Sequence, residues 1–589
     1  MRLKTTAAIG SAAVLFAVAA CGGGGGDDDS NTRPSSGASQ DQGGSGNAGA
    51  DQDPEAQAPA PDIEGATAGG TVTVLSAVQP ATLDPTRAYY TDSTAIMSGL
   101  VTRSLTQYVY RDGKMVLVPD MATDLGQPNE DLTEWTFTLR EGLKYDDGTD
   151  VVPEDIAYAI KRSFAIAELP DGPTYNTTFF LDGDKYKGPF SDKSEYKGVV
   201  IDGMDITIKM RRPFGDMPYL ASFPAFTAIP EAKDDPEAYG RDPLATGPYK
   251  FEEYTGDSLT LTRNEHWDPA TDPGRHAYPD EWVFRFGEDT TTLENVLIND
   301  QGEAQTTLTY DSITGPGFQT AQQDGIVEDR LVKGTSPCTY MWYLDMTKIT
   351  DMKVRQAIGY AYPYQDHWKA IGEIEGLTRL GGSTILPPGT SGRVEYDVLG
   401  NKGVETDPEK AKALLKEAGQ EGYEIKFLYA RDDELAVAGK DALVQGFEEA
   451  GFKMTPIAST TATIRDDRTD PKSPINVRSS GWCSDWPSGG SWFPAQWDGE
   501  LVGVEGMPNP SNFKEADVDA EIDRILDTLS GEEANKAWGE LDKMIEEKYY
   551  PAVVTGYSAV AALHGSKIGG MEVDNVRGMP TLQDIYITQ

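Results

Sequence analysis

The sequence is poor in the residues on which most catalytic and metal centres depend. Its 589 residues include three Cys and four His, and the His are scattered at His266, His276, His367 and His564. The folded part has no His-Glu-x-x-His, no Walker loop, no Gly-x-Ser-x-Gly and no Cys-x-x-Cys. Such motifs bring a nucleophile, a base or a metal ion to one place. We therefore expect no catalytic residues, no metal site and no cofactor, and we do not expect an enzyme.

Basic residues are also scarce. The chain has 51 Lys and Arg against 95 Asp and Glu, which gives a net charge of -44. Binding to nucleic acid depends on clustered basic side chains that contact phosphates, so this class of function is excluded. Strong acidity supports solubility outside the cell and mildly favours cationic ligands.

The chain has no run of 18 apolar residues, so no transmembrane helix is expected. Residues 1–20 instead have the pattern of a secretory signal peptide, with Arg2 and Lys4 before the short apolar segment Ala7–Ala17. The segment Val18–Cys21 resembles a bacterial lipobox. This resemblance implies that Cys21 carries a diacylglyceryl group and holds the protein at the extracellular face of the cytoplasmic membrane. The alternative is a plain signal peptide followed by a chance Cys.

Residues 21–69 are rich in Gly, Ser, Asp and Ala and have very few large apolar side chains. Such a segment cannot bury enough surface to offset the entropy lost on ordering. We predict a disordered tether here.

The remaining chain is long enough for more than one hydrophobic core. Trp135–Leu139 alternates apolar and polar residues like a half-buried strand, and Asp351–Tyr360 has the spacing of a helix. Thr406 and Glu409 fit a capping box at the start of another helix. Strands that alternate with helices in both halves indicate an α/β protein with two lobes.

The most unusual stretch is Gly481–Trp497, which holds four of the ten Trp together with Asp485. One acid among aromatic rings is a plausible seat for a cationic group, because rings exclude water and a low dielectric strengthens the charge pair. The stretch is equally consistent with an aromatic corner of the core that carries a solvated Asp. Both interpretations stay open at this point.

The three Cys favour one pairing. If Cys21 carries lipid, Cys338 and Cys483 remain, and export implies an oxidising compartment. We predict a disulfide between them, which would fix the Trp-rich stretch to the segment around Tyr340. Two buried free thiols are the alternative.

Several motifs occur in the order known from one protein family. The most specific is Trp135–Gly148, followed by Glu154–Ile156, and later Thr246–Tyr249, Val354–Ile358 and Asp407–Ala411. With them, residues from about 70 to 589 resemble the large extracytoplasmic solute-binding proteins of peptide/nickel ABC importers. The oligopeptide- and dipeptide-binding members are the most similar.

This resemblance implies an α/β periplasmic-binding-protein-like fold of the large peptide-binding type, with two lobes and an extra subdomain in lobe I. Lobe I then covers 70–332, with the subdomain at about 106–235. Lobe II covers 333–553, and 554–589 returns to lobe I. The two crossover strands are expected near 330–335 and 552–558.

The resemblance also implies a ligand site. In peptide-binding members, a Gly-Trp-Cys-x-Asp run pairs with the peptide backbone, and its Asp binds the α-ammonium group. The segment after the Leu-Asp-Pro turn usually faces the ligand, and some members join this Cys to a Cys-Thr-Tyr segment. The residues nominated in this chain are Asp485, Gly481, Trp482, Cys483, Trp486, Tyr89, Tyr90, Thr91 and Tyr340.

The function implied is a monomeric, lipid-anchored receptor that captures peptides by lobe closure and delivers them to an ABC permease and its ATPase. Family members often continue after the Asp with a different loop from the Trp486–Gly490 segment found here, so the ligand stays open. An oligosaccharide, a nickel chelate or another solute is the alternative within the same fold. An extracellular hydrolase or an adhesion lipoprotein is the alternative from a different class.

Overall fold

The computed structural model describes residues 51–470, 472–504 and 506–589. The expected signal peptide, Cys21 and most of the expected tether lie outside these residues. Within them, no helix is both long and apolar enough to cross a bilayer.

Among the described residues, the first lobe is built mainly from the chain before residue 331, in three sheets and seven helices. The C-terminal residues Ile568, Met571 and Leu582 pack in the same core. Its strands are β1 Asp51–Gln52, β2 Thr71–Ser76, β3 Thr106–Arg111, β4 Lys114–Pro119, β5 Gln127–Pro128, β6 Glu134–Thr138, β7 Val199–Asp202, β8 Asp205–Lys209, β9 Tyr249–Tyr254, β10 Ser258–Arg263, β11 Glu281–Phe286 and β12 Thr307–Thr309. Its helices are α1 Thr91–Ile96, α2 Pro153–Arg162, α3 Tyr175–Phe179, α4 Met217–Leu220, α5 Thr290–Asn299, α6 Gly315–Gln323 and α7 Val327–Arg330.

The central sheet of the first lobe has the strand order β12-β2-β11-β10-β9. β2 lies parallel to both β11 and β12, whereas β10 pairs antiparallel with β11 and β9. Val72 and Val74 face the same core as Trp282 and Phe284, and all four side chains are fully buried. A separate core, rich in aromatic side chains, fills the space around the β5-β6-β8-β7 sheet.

The segment 51–69 corrects the prediction of a tether that reaches residue 69. β1 pairs in parallel with Val116 and Leu117 of β4, and Ala56 is buried against that sheet. The Ala60 backbone N–H donates to the carbonyl of Asp272 at 2.9 Å. An exposed sheet edge offers backbone hydrogen bonds that order a segment whatever its side chains. Low hydrophobicity alone therefore does not make a segment disordered.

The second lobe begins with β13. Its strands, together with the short C-terminal strands, are β13 Leu331–Leu344, β14 Arg379–Leu380, β15 Glu424–Ala430, β16 Lys453–Ser459, β17 Val477–Cys483, β18 Ala552–Leu563, β19 Ile568–Gly569, β20 Val573–Asp574, β21 Met579–Pro580 and β22 Tyr586–Ile587. Its helices are α8 Met352–Ala361, α9 Tyr364–Ala370, α10 Pro408–Glu417, α11 Glu434–Glu449, α12 Ile464–Thr469, α13 Phe493–Gln496, α14 Ala516–Thr528 and α15 Gly531–Lys548.

One local prediction was wrong in detail. The N-cap of α10 is Asp407, whose carboxylate accepts from the Lys410 N–H at 2.9 Å. Thr406 instead donates its hydroxyl to the carbonyl of Tyr362. Both side chains can cap a helix, and the tertiary contact of Thr406 decides between them.

The main sheet of the second lobe has the order β14-β18-β13-β17. Trp342 on one face of β13 packs with α8, α9 and α11, and Met341 on the other face packs with α14 and α15. Side chains of successive strand residues point to opposite faces, so β13 holds two cores apart. β17 is the last strand of this sheet and pairs only with β13 among the described strands.

β13 and β18 belong to both lobes. Leu331 and Leu563 lie in a first-lobe core, whereas Trp342 and Val553 lie in a second-lobe core. Their antiparallel ladder changes register between Thr335 and Thr339. The chain therefore passes from one lobe to the other along two paired strands, which overlap the positions where crossovers are expected.

Candidate ligand-binding site

The candidate site is organised by the free edge of β17, the side of this strand that faces away from β13. Cys338 lies opposite Cys483, with 4.0 Å between their Cα atoms, and a disulfide joins them. In antiparallel pairs, so short a distance is typical of residues whose backbone groups do not bond to each other. Bonded and non-bonded pairs alternate along an antiparallel ladder, so Tyr340 and Gly481, two positions along, are also a non-bonded pair. The N–H and C=O groups of Gly481 and Cys483 consequently point to the free edge.

Ser479 gives an independent sign of this alternation. It is two residues before Gly481, and its carbonyl accepts a hydrogen bond from Arg468 Nη1 at 2.9 Å. That carbonyl therefore points to the free edge and not to β13. Trp482 lies between Gly481 and Cys483, so its N–H and C=O groups point the other way, to Thr339 of β13. Of the three residues expected to offer backbone groups, Gly481 and Cys483 do so, whereas Trp482 does not.

Tyr340 lies beside Gly481 on the same face of the sheet. A Cβ atom at Gly481 would lie 3.0 Å from Tyr340 Cδ1 and 3.2 Å from the carbonyl oxygen of Thr339. The Tyr340 side chain is 39% exposed, and the guanidinium carbon of Arg379 lies 3.8 Å from its ring centroid. A glycine thus lets an exposed aromatic ring, stabilised by a cation–π contact, lie next to the free edge.

Asp485 lies two residues beyond the end of β17. Ser484 is held in place by its backbone N–H, which donates to the carbonyl of Pro337 at 2.8 Å. Tyr89 Oη donates to Asp485 Oδ1 at 2.6 Å, and Tyr175 Oη donates to Oδ2. Both tyrosines come from the first lobe, so the carboxylate is held between the lobes at one end of the free edge.

The partial burial of Asp485 sets the electrostatics of its carboxylate. It raises the pKa of Asp485, and the hydrogen bonds from Tyr175 and Tyr89 offset part of that rise. Burial also raises the pKa of both phenols well above its usual range, and the neighbouring carboxylate raises it further. The phenols therefore stay protonated and act as donors, while the carboxylate is a desolvated acceptor that a cation would stabilise.

Tyr175 was missed by sequence reasoning. It is the first residue of the short helix α3, in a region whose only signal was its richness in aromatic residues. Tyr90 lies next to Tyr89, with ring centroids 6.4 Å apart, and its carbonyl accepts from the Thr94 N–H at the start of α1. Thr91 is the exposed first residue of that helix. A role of Tyr90 and Thr91 in binding stays a prediction.

Trp486 was expected to contact the ligand, and its position corrects that expectation. Its side chain is 1% exposed and packs in the first-lobe core, at 4.9 Å from the ring of Tyr175 and 6.2 Å from that of Phe214. Its indole N–H donates to Asp216 Oδ2 at 2.7 Å. Trp486 is therefore an anchor between the lobes in this conformation.

The Trp-rich stretch is mainly structural. Trp492 and Trp497 are fully buried in the second-lobe core, and Trp482 packs beside that core and donates its indole N–H to the carbonyl of Ser491. The rings of the stretch therefore build the core, and Asp485 lies at its edge. Its role as the seat of a cationic group stays a prediction.

Gly490 completes the contact between the lobes. A Cβ atom at Gly490 would lie 2.2 Å from Asp216 Oδ2, far inside van der Waals contact. Burial raises the pKa of Asp216 to about 6, and hydrogen bonds from Trp486 and Ser488 lower it. Nearby, Arg212 of the first lobe forms salt bridges with Asp523 and Asp527 of α14, at 3.2 and 2.8 Å.

Replacing Gly490 with alanine is expected to weaken ligand binding more than folding. The added methyl group overlaps with Asp216 only when the lobes meet, and overpacking of this kind costs about 1–3 kcal/mol. Affinity measured by calorimetry should fall by roughly 5- to 150-fold. Gly315→Ala is the matched control, because its Cβ would have no neighbour within 4 Å. Equal affinity of the Gly490→Ala variant and the unaltered protein would show that this contact does not govern closure.

The described residues include no group of three or more His, Cys, Asp or Glu side chains placed to hold a metal ion. The candidate site thus consists of a free strand edge, a partly buried carboxylate at its end and aromatic side chains beside it.

Comparison with known proteins identifies the family of the chain. The sequence model of the bacterial extracellular solute-binding proteins, family 5 middle, matches residues 116–500, more than half of the chain. The chain belongs to this family. The family membership predicted from the motifs is thereby confirmed, and the protein is a solute-binding protein and not an enzyme.

Individual relatives are distant but cover most of the chain. The glutathione-binding protein GsiB of Salmonella paratyphi A is 24% identical over 500 residues, covering 80% of this chain and 86% of that protein. The dipeptide-binding protein of Escherichia coli is 26% identical over 338 residues, covering 54% and 58%. Among solved structures, clavulanic acid biosynthesis oligopeptide binding protein 2 has a TM-score of 0.80 at 24% identity, covering 91% of this chain and 99% of its own. This last similarity confirms the two-lobed α/β fold.

Proposed function

We propose that this family 5 protein binds peptides outside the cytoplasm and delivers them to an ABC permease with its ATPase. The observation that carries the proposal is the free edge of β17 ending at Asp485. Gly481 and Cys483 offer backbone donors and acceptors in the spacing of a strand, which pair with any peptide backbone whatever its side chains.

Asp485 supplies the second half of the argument. The groups that act on its carboxylate are the two phenols, and no described basic side chain forms an ion pair with it. A partly buried carboxylate without a cation is costly, and an arriving ammonium group offsets that cost with charge-assisted hydrogen bonds. A peptide's α-ammonium at Asp485 and its backbone along the free edge satisfy both features at once.

The relatives support the same class of ligand. Their names give glutathione and dipeptides as ligands of those proteins, and a solved relative from Helicobacter pylori was determined with a bound peptide. The oligosaccharide alternative relied on stacking by the Trp-rich stretch. Three of its four Trp are buried in the cores, which leaves few ring faces for a sugar.

The lipid anchor at Cys21 and the monomeric state belong to this proposal. The lipobox-like segment Val18–Cys21 supports the anchor. It would hold the receptor at the extracellular face of the membrane, where the permease opens.

The test is a ligand screen on the purified protein. Native mass spectrometry identifies any ligand that co-purifies, and the intact mass of membrane-extracted protein reports the lipid. Short peptides, oligosaccharides and nickel chelates are then compared by thermal shift. A ligand that binds the native state raises the midpoint of thermal unfolding according to its concentration and affinity. We expect only the peptides to raise this midpoint. A shift with sugars or chelates and none with peptides would overturn the proposal.

A further inference from the structure

Residues 51–69, which we call the N-terminal strap, cross the surface of the first lobe before the central sheet begins. Beyond β1 the strap has no regular secondary structure, so separate hydrogen bonds hold it in place. Its second half lies on the loop 272–280, where the Ile63 N–H donates to the Tyr278 hydroxyl at 3.2 Å. The Gly69 N–H donates to the Tyr278 carbonyl at 2.7 Å. The hold on this part of the chain therefore depends on a few polar contacts.

His276 lies in the same loop and contacts both the strap and the C-terminal segment. Its Nε2 lies 3.0 Å from the carbonyl oxygen of Pro61, and its Nδ1 lies 2.9 Å from Asp584 Oδ1. A carbonyl and an ionised carboxylate accept hydrogen bonds and cannot donate them. Both ring nitrogens must therefore carry a proton to satisfy the two contacts, which makes the ring an imidazolium. Its ring stacks on Tyr278 with 4.9 Å between centroids, a favourable position for a cation.

The surroundings of the ring favour its protonated form. The charged and titratable side chains that act on the His276 ring or on the Tyr278 ring stacked against it come from the strap, the loop and the C-terminal segment: Asp62, Asp272, Tyr278, Asp584 and Tyr586. Burial lowers the pKa of His276, but Asp584, the Pro61 carbonyl and Asp272 raise it by more, so that the pKa lies above its ordinary value. The adjacent Arg275 opposes this little, because its own charge is neutralised in buried salt bridges, one of them with Asp272.

We propose that His276 is a proton-dependent clasp that fastens the N-terminal strap to the first lobe. The imidazolium bonds to Pro61 and Asp584 together, whereas the neutral ring has one N–H and loses one of the two bonds. The charge of Asp584 keeps the remaining proton on Nδ1, so the bond to Pro61 is the one that is lost.

The pH range follows from the raised pKa of His276. A group whose pKa is higher in the folded protein contributes its full stabilisation below its ordinary pKa, which for His is about 6.5. That contribution is lost as the pH rises through the raised value. The strap is therefore fastened in mildly acidic surroundings and is released more often in alkaline ones.

Release of the strap would change the reach of an anchored protein. The 19 residues 51–69 add up to about 60 Å to the link between the first lobe and the chain before it, at roughly 3.3 Å per residue. This consequence depends on the lipid anchor proposed at Cys21. The clasp itself depends neither on the anchor nor on peptide binding.

The test is hydrogen exchange of the full-length protein, measured by mass spectrometry from pH 5.5 to 8.5. Protection factors correct for the direct effect of pH on the exchange reaction. Peptides that cover residues 54–66 should lose roughly 10- to 100-fold in protection over this range, the size expected for one hydrogen bond to a charged group. Peptides that cover β11 should keep their protection, because this strand lies in the core of the lobe.

Three variants identify the group responsible. His276→Gln should remove the pH dependence, because the amide does not titrate. Asp584→Asn should move the transition to lower pH, because it removes the charge that raises the pKa of His276. His266→Gln is the matched control: this His is exposed in a different loop, and its variant should keep the full transition.

Constant protection of the strap in the unaltered protein would overturn the clasp, as would a transition that persists in His276→Gln. An equal loss of protection at β11 would also overturn it, because a general loss of stability would then explain the change. Should His276→Gln not fold, Asp584→Asn decides, since an unmoved transition would assign the effect to another group.

Discussion

Replacing Asp485 with asparagine is expected to weaken the binding of a peptide with a free amino terminus by about 2–5 kcal/mol, or roughly thirty- to several-thousand-fold. The amide keeps the size of the carboxylate and can still accept from Tyr89. It cannot offset the charge of an ammonium group that has been taken out of water. The loss therefore measures an unpaired buried charge and exceeds the value of one neutral hydrogen bond.

Calorimetry with the peptide and its N-acetylated form measures this effect. N-acetylation removes the ammonium charge, so it should weaken binding to the unaltered protein strongly and to Asp485→Asn only slightly. Thermal unfolding serves as the control on folding. Burial raises the pKa of Asp485, so its charge is unfavourable in the folded protein, and we expect the asparagine variant to unfold at no lower temperature. Unchanged affinity of the asparagine variant for the free peptide would remove Asp485 from the site.

Loss of the Cys338–Cys483 disulfide is expected to have the largest effect on stability. The two residues are 145 apart in sequence, and closing a loop of that length in the unfolded chain corresponds to a chain-entropy contribution of roughly 5 kcal/mol. This value is an upper estimate, since removal of native disulfides typically costs about 2–5 kcal/mol. The bridge also fixes the end of β17, two residues before Asp485.

The measurement is urea denaturation of the Cys338→Ala/Cys483→Ala double variant, with and without reductant. The unfolding midpoint of the unaltered protein should fall when reductant is present, and that of the double variant should not depend on it. Equal midpoints for the oxidised protein and the double variant would show that the β13–β17 ladder holds this segment without the bridge.

Local structure followed from the sequence where short-range physics decides it. The alternation in Trp135–Leu139 predicts a strand, and β6 covers Glu134–Thr138 with Trp135 and Phe137 buried. The helix predicted over Asp351–Tyr360 is α8, which covers Met352–Ala361. Both patterns depend on contacts between near neighbours or on which face is buried, so they can be recognised without knowledge of the chain path.

The composition of the Trp-rich stretch does not predict which core each Trp ring packs in. Trp486 and Trp492 are only six residues apart, yet Trp486 packs in the first-lobe core and Trp492 in the second. The distinction arises because the stretch crosses the interface between lobes, and this interface brings together residues that are hundreds of positions apart. Tyr175 is 310 positions from Asp485, and nothing near either residue indicates the other.

The sequence by itself determined the family, the two-lobed α/β class, the candidate carboxylate Asp485 and the pairing of Cys338 with Cys483. These depend on motif order, periodicity and the number of cysteines, all of which can be read from the sequence. Only the tertiary structure decided that Trp486 joins the lobes, that Tyr89 and Tyr175 hold the carboxylate and that Arg468 lies along the free edge of β17. Those contacts are set by strand register and by the meeting of two lobes, and both arise from long-range packing that no local pattern encodes.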